Sequence, residues 1–326
     1  MSTYHIMVFI CFTCQLFLCP VDSVIGIATF FRRDYDLIHS QRSFYKVHNI
    51  PKSWNDARKQ CILEGSTLAI PETAEEAEKL RDLMSKKIDT NSVAYLGIQA
   101  FTKGFFFTLD GRSINEIYHG WAPGQPNDVD NQEDCVILSS DGKLNDVNCV
   151  NKNPFICEKS QDSATWNNAC ETSDLAYTRV AGMAHCYKVH LEPKNWPDAY
   201  ATCVAEQSYL AILNSRTESK ALINLFNTKP YRNVTQNFLR GAIHLGFHDR
   251  FTEGLFTTIR GDTLSDAGFD KWGGGQPDHS LVETCGSMFY DGELNDIGCE
   301  QRCFFICERE VGDGSSALSL RFAGLE

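Results

Sequence analysis

The sequence predicts an α+β protein built from two tandem, disulfide-stapled units of one fold, each with two helices, small antiparallel sheets and long loops. Three observations lead there. The first is an internal repeat. Tyr187-Lys188-Val189-His190, Pro193-Lys194, Trp196, Asp198-Ala199 and Cys203 repeat Tyr45-Lys46-Val47-His48, Pro51-Lys52, Trp54, Asp56-Ala57 and Cys61. The second is a four-cysteine frame, Cys61, Cys135, Cys149 and Cys157, with counterparts Cys203, Cys285, Cys299 and Cys307. The third is the pattern within each copy, in which two helical stretches precede short apolar runs interrupted by Gly, Asp and Asn. A chain of 326 residues suits two domains of ordinary size.

Taken in order, residues 1–23 read as a secretory signal, with an apolar run at 6–18 and the small residue Ser23 at a cleavage position. That run is short for spanning a bilayer, and no later segment could span one, so the chain is expected to be secreted, without membrane insertion. The first unit is placed at 28–158. In it, Phe44-Tyr45-Lys46-Val47-His48 alternates like a strand, and Ser53 can cap a helix through Trp54, Ala57 and Cys61 that ends at Gly65. A second helix fits 72–88, where Ala74, Ala77, Leu80, Leu83 and Met84 recur at helical spacing under a charged face. The polar stretch 159–168 reads as a linker, 169–309 as the second unit, and 310–326 as a flexible tail.

By Cys135 and Cys285 the two copies are spaced eight residues further apart than at Cys61 and Cys203. Most of that insertion is expected at 228–240, which contains Asn233-Val234-Thr235, the chain's one N-glycosylation sequon, suited to an exposed loop.

Cleavage of the signal would remove Cys11, Cys14 and Cys19 and leave eleven cysteines in an oxidising compartment, which invites disulfides. Four cysteines permit three connectivities. A nested arrangement, Cys61 with Cys157 and Cys135 with Cys149, then Cys203 with Cys307 and Cys285 with Cys299, would tie the ends of each unit together. Cys170 and Cys186 occur only in the second copy and could close a hairpin at its start. Cys303 is left over, as a candidate for a bridge between chains or as a buried inert thiol.

The formal charge of -12 argues against nucleic acid and anionic membranes as partners, since phosphate binding needs clustered Lys and Arg. It fits an acidic protein that holds a cation. The residues that would do so lie in 121–157 and again in 272–307. The first stretch carries Trp121, Gln125-Pro126-Asn127, Glu133, Asn145 and Asp146; the second carries Trp272, Gln276-Pro277-Asp278, Glu283, Asn295 and Asp296. Carboxylates and amides gathered into turns between cysteines make a hard-cation site, and Ca2+ is its natural occupant.

Together the helix pair, Tyr95-Leu96-Gly97-Ile98 and His244-Leu245-Gly246-Phe247, the cysteine frame, Gln-Pro-Asn or Gln-Pro-Asp, and Leu-Asn-Asp resemble the C-type lectin domain, and the pair in one secreted chain resembles the dual-domain insect immulectins. The resemblance implies a Ca2+-dependent lectin binding microbial or host glycans in innate immunity. It implies metal ligation by Gln125, Asn127, Glu133, Asn145 and Asp146 in the first unit and by Gln276, Asp278, Glu283, Asn295 and Asp296 in the second. The sugar would meet the same residues except Asp146 and Asp296. In the family the proline between the first two ligands follows a cis bond, which turns both flanking side chains toward one ion.

Resemblance also implies that amide-then-acid, as in Gln276-Pro277-Asp278, goes with galactose-like hydroxyls, with His279 the one nearby ring to stack on the sugar. Gln125-Pro126-Asn127 has amides on both sides, so the first unit carries two ligand carboxylates where the second carries three, and weaker Ca2+ binding is expected there. An auxiliary site would draw on Asp249 and Glu253 in the second unit, where the first has Ala100 and Lys103. Trp121 and Trp272 read as core anchors. Paired acids could serve a glycosidase, but no nucleophile-base constellation accompanies them, so the chain is not expected to be an enzyme. The competing possibility is a protein-binding module in which calcium holds loops or has been lost.

Overall fold

The computed structural model describes residues 30–89, 91–278 and 282–312. The expected signal, His279 and the tail beyond Gly312 lie outside the described residues. In the first unit the order is β1 (Asp36–Ile38), β2 (Ser43–Lys52), α1 (Trp54–Leu63), β3 (Thr67–Leu68), α2 (Ala74–Lys87), β4 (Ala94–Thr102), β5 (Phe105–Thr108), β6 (Cys135–Leu138), β7 (Leu144–Val147) and β8 (Asn153–Ser160). The second unit repeats it with β9 (Thr178–Arg179), β10 (Cys186–Lys194), α3 (Trp196–Ala205), β11 (Tyr209–Leu210), α4 (Arg216–Asn227), β12 (Ala242–His248), β13 (Thr257–Thr258), α5 (Leu264–Ala267), β14 (Cys285–Phe289), β15 (Leu294–Ile297) and β16 (Cys303–Arg309).

The helices begin where side-chain caps satisfy their first amides. Ser53 accepts from the Asp56 amide and Thr73 from the Glu76 amide; Asn195 and Ser215 do the same for Asp198 and Glu218. The second helix thus starts at Ala74, two residues later than the periodicity alone suggested, because Thr73 supplies the cap. Gly65 adopts φ 78 after α1, a left-handed conformation open to glycine.

Each unit folds one eight-stranded sheet, ordered β1-β2-β8-β4-β6-β7 in the first. It is antiparallel except where β4 meets β8 in parallel, at Tyr95 opposite Phe155; β12 meets β16 the same way, at His244 opposite Phe305. Matching Tyr95 to His244 places seven of the eight extra residues before β12, in the connection that follows α4. Asn233 is exposed there.

Five disulfides close the frame: Cys61–Cys157, Cys135–Cys149, Cys170–Cys186, Cys203–Cys307 and Cys285–Cys299. Cys303 corrects one expectation. Its side chain is fully buried in β16, and burial pushes its thiol up to about 12, so it is not presented for a bridge to another chain.

Trp54 and Trp196 start α1 and α3 and point inward, each indole donating to a strand carbonyl, Leu96 O and Leu245 O, at 2.8 Å. This fixes helix to sheet with the buried donor satisfied. Gly97 and Gly246 make the same approach possible from the strand side. A Cβ would lie 2.6 Å from Leu68 O at Gly97 and 2.3 Å from Leu210 O at Gly246.

Candidate functional site

The site residues sit on short strands at the edge of each sheet and on the loops above them. β7 and β15 read Leu-Asn-Asp-Val and Leu-Asn-Asp-Ile, with Leu144 and Leu294 buried in the core. The adjoining β6 and β14 are stapled to the chain beyond β7 and β15 by Cys135–Cys149 and Cys285–Cys299. The strand position of Asn145, Asp146, Asn295 and Asp296 is therefore set by core packing and a disulfide.

The X-Pro-X loops are tied to the same strands. Trp121 forms a parallel bridge with Leu144, and Trp272 with Leu294; both indoles pack against their unit's core. The Ala122 amide then donates to Leu144 O at 2.9 Å and the Gln125 amide to Ala122 O at 3.0 Å; Gly273 and Gln276 repeat this with Leu294 O and Gly273 O at 2.9 and 3.0 Å. Gly124 and Gly275 turn the chain at φ 83 and 84, and the bonds Gln125-Pro126 and Gln276-Pro277 are cis.

In the first unit the Asp146 carboxylate is fully buried and accepts from the amides of Asn127 at 3.1 Å and Asp128 at 2.8 Å, which pulls the loop onto β7. Glu133 Oε2 accepts from the Val129 amide at 3.0 Å, and Asp128 Oδ1 accepts from the Glu133 amide at 3.2 Å. Between them Asp128, Asp130 and Asn131 take left-handed φ of 47, 57 and 56, which Asp and Asn tolerate better than most residues. Two acceptors in this group, Gln125 Oε1 and Asn145 Oδ1, are buried without a hydrogen-bond partner. Buried oxygens of this kind cost stability unless something electropositive reaches them.

In the second unit carboxylate oxygens of Asp278, Glu283 and Asp296 lie within 4.8 Å of one another. Burial, with the charges of Asp278 and Asp296, holds the Glu283 carboxyl above its usual range. Three acids crowded together, with the amides Gln276 and Asn295 on the same loop and strand, form the donor set of a hard divalent cation and fit calcium. The first unit fits through its two orphaned oxygens, but with fewer charges. Asn295 also donates to Ser287 Oγ at 3.0 Å, which aims its side chain.

The auxiliary positions are less complete. Asp249 is buried, its Oδ2 accepting from the Gly254 amide at 2.9 Å and its Oδ1 unpartnered, while Glu253 is exposed. In the first unit Lys103 stands there instead, 3.3 Å from Asp128 Oδ2. Asp128 and Lys103 are the residues that sequence reasoning missed as parts of this loop. The long-range pairing of Asp128 with Lys103 had no signal in the sequence. His244 and His248 lie on strand β12, where His244 faces the carbonyls Lys194 O and Gln301 O at 3.2 and 3.0 Å; neither belongs to a cluster of metal-type side chains among the described residues.

Comparison with known proteins adds the family. The C-type lectin domain model matches residues 50–159 and 192–309. A hemolymph lipopolysaccharide-binding protein of Periplaneta americana is 43% identical over 127 residues, 38% of this chain and 49% of that protein. A mannose-binding protein of Gallus gallus is 44% identical over 100 residues, 30% of this chain and 37% of that protein. The chain thus spans about half or less of these relatives' length. Among solved structures, the carbohydrate-recognition domain of the mouse scavenger receptor C-type lectin is 26% identical, with 42% of this chain and 96% of that one covered and a TM-score of 0.35. With two matched segments, a repeated cysteine frame and a repeated fold, the chain belongs to the C-type lectin domain family and carries that domain twice.

Proposed function

We propose that the chain is a secreted, calcium-dependent carbohydrate-binding protein that captures microbial surface glycans in innate immunity. Its lectin units would be 28–158 and 169–309, joined through 159–168. One observation carries the reading: in both units the five oxygen-bearing residues, Gln125, Asn127, Glu133, Asn145 and Asp146 or Gln276, Asp278, Glu283, Asn295 and Asp296, are gathered on one short strand and the loops tied to it. Calcium bound there would polarise two neighbouring sugar hydroxyls. The side chains would do the rest, amides donating to a hydroxyl oxygen and carboxylates accepting a hydrogen bond from the hydroxyl. The relatives named for lipopolysaccharide and mannose support a glycan partner, and no helix among the described residues is long and apolar enough to cross a membrane.

The second unit is the stronger site, with its three carboxylates, and its Gln276-Pro277-Asp278 order favours galactose-like hydroxyls. Two units on one chain raise weak single-site binding through effective concentration when glycans repeat. The chain acts by binding, not turnover. For the first unit a second reading has support. Asp146 is held by backbone amides and Asp128 by Lys103, so that loop keeps its shape with its own groups and could serve as a protein-binding surface. Binding to immobilised galactose and mannose glycans, competed by free monosaccharide, tests the proposal. Binding that sugars do not displace would favour a protein partner.

A further inference from the structure

The hairpin beside each site exposes apolar side chains where a half-exposed strand ordinarily carries polar ones. In the first unit β5 alternates, Phe106 and Thr108 turning into the core, Phe105 and Phe107 outward. Phe105 is 66% exposed and Phe101, across the turn, 74%. The rings of Phe101 and Phe107 pack at 5.8 Å, so the outward residues form one aromatic face. The second unit has Phe251, 89% exposed, and Leu255, 51% exposed, on the matching hairpin. Large apolar groups exposed together at the same place in both copies mark a contact surface more readily than a scattered leucine would.

The hairpins are continuous with the sites. The Ala100 amide donates to Asp134 O at 2.7 Å, directly after Glu133, and the Asp249 amide to Thr284 O at 3.2 Å, directly after Glu283. Lys103, at the hairpin tip, pairs with Asp128, whose amide donates to Asp146. In each unit the apolar side chains thus lie on the hairpin that leads directly into the loop carrying Glu133 or Glu283.

Resting on the lectin reading above, we infer that these faces are a subsite for the acyl chain of a glycolipid whose saccharide occupies the neighbouring loops. A whole bilayer fits poorly. The chain's charge is -12, and lowering the hairpin into lipid would bury Lys103 between Phe101 and Phe105 together with the adjoining acids. A single chain laid along the rings needs neither.

The test compares methyl and octyl galactosides and mannosides, below micelle formation, on the full mature chain in calcium. Wild type should bind octyl glycosides about tenfold tighter than methyl ones, since each buried methylene is worth up to about fourfold. In a variant combining Phe101→Ser, Phe105→Ser, Phe251→Ser and Leu255→Ser that ratio should fall to about one; these exposed positions should leave far-UV circular dichroism and the unfolding midpoint nearly as they were. Equal binding of methyl and octyl glycosides by wild type overturns the inference and leaves the lectin reading standing. So does a ratio that persists in the variant, including the case where the variant instead changes the sedimentation of the chain, which would make the face a contact between copies. Failure to bind any glycoside would overturn the lectin reading itself.

Discussion

Replacing Asp278 by Asn gives the second unit the Gln-Pro-Asn triplet of the first and removes one of three carboxylates whose oxygens lie within 4.8 Å of one another. Asp278 is exposed, so water-like screening applies. A unit charge about 2.4 Å from a divalent ion is then worth roughly 3 kcal/mol. Part of that returns, because Asn keeps a neutral oxygen in place. Relief of repulsion also lets the Glu283 carboxyl, now held high by burial and its acidic neighbours, ionise more easily. The net loss should be about 2 kcal/mol, close to a 30-fold weaker calcium constant. Calorimetry on the full chain, at neutral pH and physiological salt, should resolve a tighter and a weaker class of site. Asp278→Asn should move the tighter class toward the weaker, and Asn127→Asp should tighten the weaker. Calcium binding by Asp278→Asn within twofold of wild type would refute the charge-count reasoning.

Two further predictions concern the scaffold. His244 is fully buried, its Nε2 facing Lys194 O and Gln301 O and its Nδ1 unpartnered, and burial pushes its pKa down to about 4. The unfolded chain takes up this proton as pH falls below about 6.5 while the folded one refuses it, so stability is complete above that pH and is lost on the way down to 4, by roughly 2 to 3 kcal/mol at about pH 4.5. Tyr95 fills the matching place in the first unit, its hydroxyl donating to Asn148 O and Asn151 O. His244→Tyr should therefore flatten the acid limb in denaturant titrations at pH 7 and 4.5, and parallel curves for the two proteins would contradict this. Gly246→Ala, which sets a Cβ 2.3 Å from Leu210 O, should cost about 3 kcal/mol or more, while Gly274→Ala, with nothing within 4 Å, should change the unfolding midpoint little. Equal midpoints for the two alanine variants would refute the packing argument.

Much of the fold was legible because each signal was local and occurred twice. Ser53, Trp54 and Cys61 reappear as Asn195, Trp196 and Cys203, so one cap and one core anchor could be checked against the other. Helix periodicity marked α2, but its start depended on Thr73, a single hydroxyl that a periodic pattern does not weigh. The ligand-type residues stood out by composition. What composition could not give was which oxygens lie buried, and so the difference between Asp146, engaged by backbone amides, and the acid cluster around Glu283. Cys303 was left between a bridge and a buried thiol because a count of cysteines carries no information on burial; its place in β16 favours the buried thiol. The aromatic face of the first hairpin was hidden too: Phe105-Phe106-Phe107 reads as one apolar run until the pleat separates the buried ring from the outward two.

The most direct measurement is binding of the mature chain to immobilised galactose, mannose and lipopolysaccharide in calcium, after stripping with EDTA, and after calcium is restored. Binding should vanish on stripping and return with calcium, with galactose preferred through the second unit. Binding unchanged by EDTA would contradict a calcium-dependent lectin and leave the loops as a scaffold for another kind of partner.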